Sequence, residues 1–419
     1  MRLLMGTVDR ARPLGVWTAV LLGTNAIVGS GVYLFPAPLA ERLGPLSLVA
    51  WTTTAILCAP IAFAYAEMAR GTDRSGGTYR YAADAFGPYP GAVLGWVSWI
   101  SAVVSWAAVA NAVPRYLGEF VPALGPAASG KAATGALVAL LTVLNILGVR
   151  LGAGVSNALT IGKLLPLALL AAAGIAAPFV HADRLAPFAP HGARPLAQAT
   201  FLVLFAYQGF EVVGIPAGEI RDARRAVARG VLGSMGLAAL LYLAVQLGYL
   251  AAGSPGGDAP LANAARALYG GWGATALAFG GLVSIVGFNA GTALGSPRYV
   301  SSLAQDGWLP RRFAEPDRRF GTPSLAVGVT GGATLVCALF LDFDRLVELA
   351  NIAVLAQYAA TSVALVVLRR ASRTWVVVGV LATLACLAMI TQAKASEFLS
   401  FAIAAAIGAA VLPLLRRRA

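Results

Sequence analysis

Two ionisable side chains lie in stretches otherwise apolar enough for lipid. They are Lys163, in VSNALTIGKLLPLALLAAAG, and Glu211, in Gly209-Phe210-Glu211. A charged group at that depth costs roughly 3 kcal/mol or more unless it is paired or neutralised, and it faces a bundle interior by default. Lys163 therefore has two readings. It snorkels its ammonium to the cytoplasmic interface, or it stands as a fixed or titrating cation against carbonyls of the first apolar span. Glu211 has several: it binds a proton, helps hold a gap shut, pairs with a basic residue near the inner mouth, or serves as a structural hydrogen-bond acceptor. Glu67 and Glu219, near the ends of their apolar runs, read as interfacial anchors or loop-docking groups.

The element such a cation would face is itself unusual. The stretch Gly23–Pro36, GTNAIVGSGVYLFP, lies in a membrane-length apolar run but centres on Gly29-Ser30-Gly31. Two glycines around a serine weaken a helix where lipid cannot hydrogen-bond the backbone groups released. Such a break survives in a bilayer only against protein or a water-filled cavity. Either the freed N–H and C=O groups bind a ligand, or the glycines form a helix-packing pair.

Twelve apolar runs are long enough to span a bilayer: roughly 15–43, 45–69, 88–117, 132–149, 154–178, 195–219, 228–252, 271–303, 323–341, 345–368, 374–391 and 397–415. The chain is 58% hydrophobic and 12% charged, with a mean hydropathy of +0.76. Soluble domains carry about 25% charged residues, so the expected class is an all-α polytopic membrane protein. Its 419 residues form a single transmembrane domain. The first run continues into a full span without a small-residue cleavage site, so no cleavable signal peptide is expected.

Twelve spans put both termini on one side. With the termini inside, the cytoplasmic segments hold 22 of the 31 Lys+Arg and the outer loops hold 8. That asymmetry follows the positive-inside rule and places both termini in the cytoplasm. The net charge of +13 thus reads as topology and contact with anionic lipid, not as a nucleic-acid surface. Cys58, Cys337 and Cys386 are scattered in apolar runs, and His181 and His191 share one polar loop. This pattern implies no disulfide framework, metal site or cofactor.

A weak internal symmetry links the two polar sites. Gly29-Ser-Gly-Val-Tyr-Leu-Phe-Pro36 in span one and Gly209-Phe-Glu-Val-Val-Gly-Ile-Pro216 in span six both run from glycine to proline over the same spacing. Paired interruptions at corresponding places in two halves indicate discontinuous helices around a midplane site. Trp99, Val103 and Trp106 share one face of span three, which is a packing stripe or a pocket wall. In span eight Asn289 and Thr292 could add polar contacts on one face.

Together these residues resemble the amino acid–polyamine–organocation (APC) transporter superfamily, from about residue 12 to residue 415. The matching elements are Gly29-Ser30-Gly31, Gly209-Phe210-Glu211, Ala217-Gly218-Glu219-Ile220, Asp306-Gly307-Trp308-Leu309-Pro310 and Gly321-Thr322-Pro323. The resemblance implies a leucine-transporter-type (LeuT) fold with a 5+5 inverted repeat, discontinuous helices 1 and 6, and 12 transmembrane helices. Repeat one would cover about 12–178, repeat two about 195–368, and two extra helices about 374–415.

The resemblance also implies that a substrate carboxylate meets the N–H groups of Ser30 and Gly31 with Gly29. The ammonium would meet carbonyls near Ala26 and Ile27 and along Phe205, Ala206, Tyr207 and Gln208, beside Gly209. Phe205 would act as a gate, with Tyr207 a second candidate, and Trp106 and Thr292 would line the pocket. Helix N-termini favour anions and C-terminal carbonyls favour cations, which agrees with this arrangement. Lys163 matches a basic residue that occupies the place of a sodium ion in sodium-independent members. Pro114 and Pro297 depart from the pattern and put local helix geometry there in question.

The expected function is a secondary active permease of a bacterial-type inner membrane. It would move L-amino acids by alternating access without sodium, by proton symport or by exchange, with Lys163 and Glu211 as coupling residues. With Glu211 the only acid near the midplane and aromatics around it, neutral or apolar amino acids are favoured. A cationic amino acid or polyamine antiporter and a non-transporting amino-acid receptor are the alternatives. A channel would need a repeated polar stripe, and an enzyme a nucleophile–base or metal cluster at membrane depth; the spans supply neither. Membrane lipid and an amino acid are the expected partners, with protons as a coupling ion; the oligomeric state has no signature in the chain.

Overall fold

A computed structural model describes residues 16–70, 77–126, 129–148, 153–214 and 223–416. Among them the regular structure is helical, without strands. The first apolar run forms three short helices: α1 (Val16–Ile27), α2 (Gly31–Leu34) and α3 (Pro36–Leu43). Then follow α4 (Ser47–Arg70), α5 (Gly77–Phe86), α6 (Pro88–Ala110), α7 (Val113–Leu117), α8 (Gly130–Ile146) and α9 (Ala153–Val180). The second half holds α10 (Leu196–Tyr207), α11 (Ala223–Ala251), α12 (Pro260–Gly295), α13 (Pro297–Gln305), α14 (Ser324–Phe340) and α15 (Phe343–Leu368). The chain ends on α16 (Arg373–Ile390) and α17 (Ala395–Arg416).

Eight helical segments among the described residues are long and apolar enough to cross a membrane. Three shorter apolar helices, α8, α10 and α14, have 17, 12 and 17 residues. This is a multi-pass, all-α membrane architecture. Glu219, Pro216 and the Ala217–Ile220 element lie outside the described residues.

The two unexpected prolines begin helices instead of breaking them. Span three stops at Ala110, turns through Asn111 and Ala112, and restarts as α7 with Pro114 in its first turn. Span eight stops at Gly295, and Pro297 opens α13. Proline fits the first turn because the N–H it lacks would have no intrahelical partner there. Proline also shapes α17. Pro413 removes the amide that would bond the Ala409 carbonyl four residues back, and the Tyr89 hydroxyl donates to that carbonyl at 2.9 Å.

The core surrounds the broken helices, with α1 lying against α11, α9 and α12. Three aromatic groups are stacked along it. Phe35, Phe205 and Phe343 meet with centroids 6.1–6.3 Å apart. Trp51, Tyr207 and Tyr242 form a second group, at 5.0–5.9 Å. Tyr65, Phe210 and Tyr358 form a third, with Phe210 and Tyr358 stacked at 5.1 Å. Phe343 and Tyr358 sit on the same helix, α15, about 22 Å apart by helical rise, so the first and third groups bracket the breaks. At one end of the bundle Glu67 of α4 pairs with Arg369, just past α15, at 3.1 Å.

Candidate functional site

Helix α1 ends at Ile27, and Val28, Gly29 and Ser30 form a bend before the chain coils again at Gly31. The Gly29 amide folds back onto the Ile27 carbonyl at 2.8 Å, and the helix resumes when Tyr33 and Leu34 donate to Ser30. Among the described residues no oxygen accepts from the amides of Ser30, Gly31 or Val32. These orphan donors form the electropositive start of α2, a natural seat for a carboxylate.

Several carbonyls at the end of α1 have lost their helical amide partners, and side chains approach those of Asn25, Ile27 and Val28. The fully buried Lys163 ammonium donates to Asn25 at 2.8 Å and Val28 at 2.5 Å. The Ser284 hydroxyl of α12 faces the Val28 and Gly29 carbonyls at 3.0 and 3.2 Å. Tyr242 of α11 faces the Ile27 carbonyl at 3.0 Å and the Ala206 carbonyl of α10 at 2.9 Å. One hydroxyl proton serves one carbonyl at a time; Ile27 also accepts from the Gly29 amide, so Ala206 is the acceptor left short when Tyr242 turns to Ile27.

Helix α10 breaks opposite the first break. Gln208 is extended, and Gly209 adopts φ +119°, in the region that favours glycine. A Cβ on Gly209 would lie 2.5 Å from the Ala26 carbonyl group, so the missing side chain lets the two breaks touch. A Cβ on Gly31 would lie 2.7 Å from the Ala206 Cβ. Its bareness therefore lets α2 approach α10.

Glu211 accepts from the Gly209 amide at 2.9 Å and the Tyr358 hydroxyl at 2.7 Å, holding the second break to α15. Of its sequence readings, the geometry displays the hydrogen-bonding one, without a basic partner among the described residues. Gln208 is likewise held, with its amide nitrogen on Asn351 at 2.5 Å, while Asn351 donates to the Phe201 carbonyl at 2.6 Å.

The fold gathers Ala26, Ile27, Gly29, Ser30, Gly31, Phe205, Ala206, Gln208 and Gly209 around the two breaks, with Lys163 beneath them and Glu211 beside the second. Two expected pocket residues make other contacts. Tyr207 turns its ring onto Trp51 and Tyr242, with its hydroxyl 3.2 Å from the Trp51 carbonyl, so Phe205 alone faces its aromatic partners at the bundle centre. Trp106 packs in a separate cluster with Ala110, Val138, Leu141 and Ala293. Thr292 lies one turn beyond Phe288 on α12, about 6 Å along the helix.

Helical spacing identifies a shared face but not the neighbour that face meets. Tyr242, Ser284, Phe288 and Asn351 were missed. Phe288 approaches Gly29, whose added Cβ would lie 3.3 Å from its ring. Asn351 carried a usable signal, an amide inside an apolar span; the hydroxyls of Tyr242 and Ser284 are too common in such spans to stand out.

A sequence model of the family described as "Amino acid permease" matches residues 14–411. Three similar proteins of Bacillus subtilis (strain 168) cover nearly the same stretch. The methylthioribose transporter is 25% identical, covering 86% of this chain and 82% of its own. The branched-chain amino acid permease BcaP is 26% identical, with 86% and 81% covered. The serine/threonine exchanger SteT is 26% identical, with 86% and 84% covered.

Proposed function

Because the chain belongs to the amino acid permease family, a family of transporters and not of enzymes, we propose that it carries neutral or apolar L-amino acids by alternating access, without sodium. The observation that carries this reading is the pair of facing breaks. The unused amides of Ser30, Gly31 and Val32 suit a carboxylate, and the Ala206 carbonyl, which shares the Tyr242 hydroxyl with Ile27, suits an ammonium. An α-amino acid carries both charges on one carbon, so the main chain recognises that common part and leaves the side chain to the pocket wall. Phe205, Phe288, Val28 and Ala206 make that wall apolar, which supports a neutral substrate. Two of the similar proteins are named for branched-chain amino acids and for serine and threonine, and both groups are uncharged.

The reading extends to a LeuT-type arrangement of twelve spans in two inverted five-helix repeats, set in a bacterial-type inner membrane with both termini cytoplasmic. Lys163 supports the absence of sodium. Its ammonium lies on the first-break carbonyls, where a bound metal ion would compete for the same oxygens. Coupling then falls to a proton or to a counter-transported amino acid. Uptake into proteoliposomes, with a panel of labelled amino acids and with sodium replaced by choline, tests both parts. Saturable uptake unchanged by choline is expected; strict sodium dependence would overturn the role given to Lys163.

A further inference from the structure

Far from the breaks, an open cavity of about 480 Å³ is lined by Tyr89, Trp308, Pro413 and Arg416. It lies where the N-terminal end of α6 meets the C-terminal end of α17. The Arg416 guanidinium sits over the Trp308 ring, 4.3 Å from its centroid. Arg416 is exposed, and no carboxylate among the described residues lies within ion-pair distance of it. Asp306, two residues before Trp308, is already bonded by the Tyr79 hydroxyl. The Tyr89 hydroxyl is spent on Ala409, so Tyr89 presents its ring to the cavity.

We propose that this cavity holds the headgroup of an anionic phospholipid. Three features fit that occupant together. The cation lacks an acidic partner and is fixed by an aromatic face, leaving its N–H fork for a phosphate. Tyr89 and Trp308 stand at a helix end, the depth at which aromatic side chains meet headgroups. The exposed residues Ile403, Ala406 and Ala410 form a stripe on α17 that leads to Pro413, an apolar track for an acyl chain. Free phosphate would match the guanidinium but not the track.

Native mass spectrometry of the full chain in detergent, titrated with phosphatidylglycerol, phosphatidylcholine or inorganic phosphate, tests the site. Wild type is expected to retain one phosphatidylglycerol about fivefold more strongly than phosphatidylcholine. Arg416→Gln should lose that preference and Arg416→Lys should keep most of it. Arg416 is exposed at a helix end, so the glutamine variant should fold; unchanged gel filtration and melting without added lipid verify this. Equal retention of phosphatidylglycerol by wild type and Arg416→Gln would overturn the proposal. So would equal retention of the two lipids by wild type, or displacement of phosphatidylglycerol by an equal concentration of inorganic phosphate.

Discussion

Gly31 and Ser30 are adjacent but answer to different constraints. The Ser30 hydroxyl is buried without a hydrogen-bond partner, so its removal breaks no hydrogen bond within the protein. A Cβ on Gly31 would collide with Ala206 at 2.7 Å. Gly31→Leu should therefore abolish amino acid binding, read as loss of the ligand-induced melting shift, whereas Ser30→Ala should bind nearly as wild type. The reverse order would mean that the serine hydroxyl, and not the backbone, holds the ligand. At Lys163 the ammonium serves two carbonyls at 2.8 and 2.5 Å. Unsatisfied buried acceptors cost about 1–3 kcal/mol each. Lys163→Ala should lower initial uptake by at least about tenfold, with the protein still monodisperse in detergent. Uptake by this variant at the wild-type rate would remove Lys163 from the transport cycle.

At the scale of elements, each break is held by a neighbouring helix. Tyr242 of α11 spans the α1 and α10 carbonyls, and Asn351 of α15 holds the end of α10 before the second break, at Phe201 and Gln208. Asn351→Ala removes a donor and an acceptor between buried groups. It should cost about 1–3 kcal/mol, seen as a lowered melting temperature alongside weakened substrate binding. Tyr242→Phe leaves the ring contacts with Trp51 and Tyr207 and removes only the hydroxyl. It should raise the KM for uptake more than it lowers the melting temperature; a melting change without a KM change would assign Tyr242 to scaffolding alone.

The breaks and the buried lysine were legible in the chain because each violates what lipid allows: glycine pairs inside an apolar run, and a charge at membrane depth. The supports were not legible, since the approach of α11, α12 and α15 depends on how helices far apart in sequence pack. For the same reason the aromatic spacing in span three identified a face, but that face turned Trp106 toward α8 and α12.

For the whole molecule, the all-α multi-pass class followed from composition, because 58% hydrophobic and 12% charged residues leave few alternatives for a chain of this length. The surplus of basic residues becomes a statement about orientation. Single cysteines introduced near residue 10 and at residue 419, in an otherwise cysteine-free background, should both be labelled only from the cytoplasmic side. Labelling of the two from opposite sides would rule out an even number of spans. The central claim is that the facing breaks bind and carry an α-amino acid. Counterflow in proteoliposomes tests it most directly: vesicles preloaded with an unlabelled neutral amino acid should accumulate the labelled one saturably in sodium-free buffer, and Gly31→Leu should not. Absence of counterflow for every amino acid tried, or its persistence in Gly31→Leu, would contradict the account.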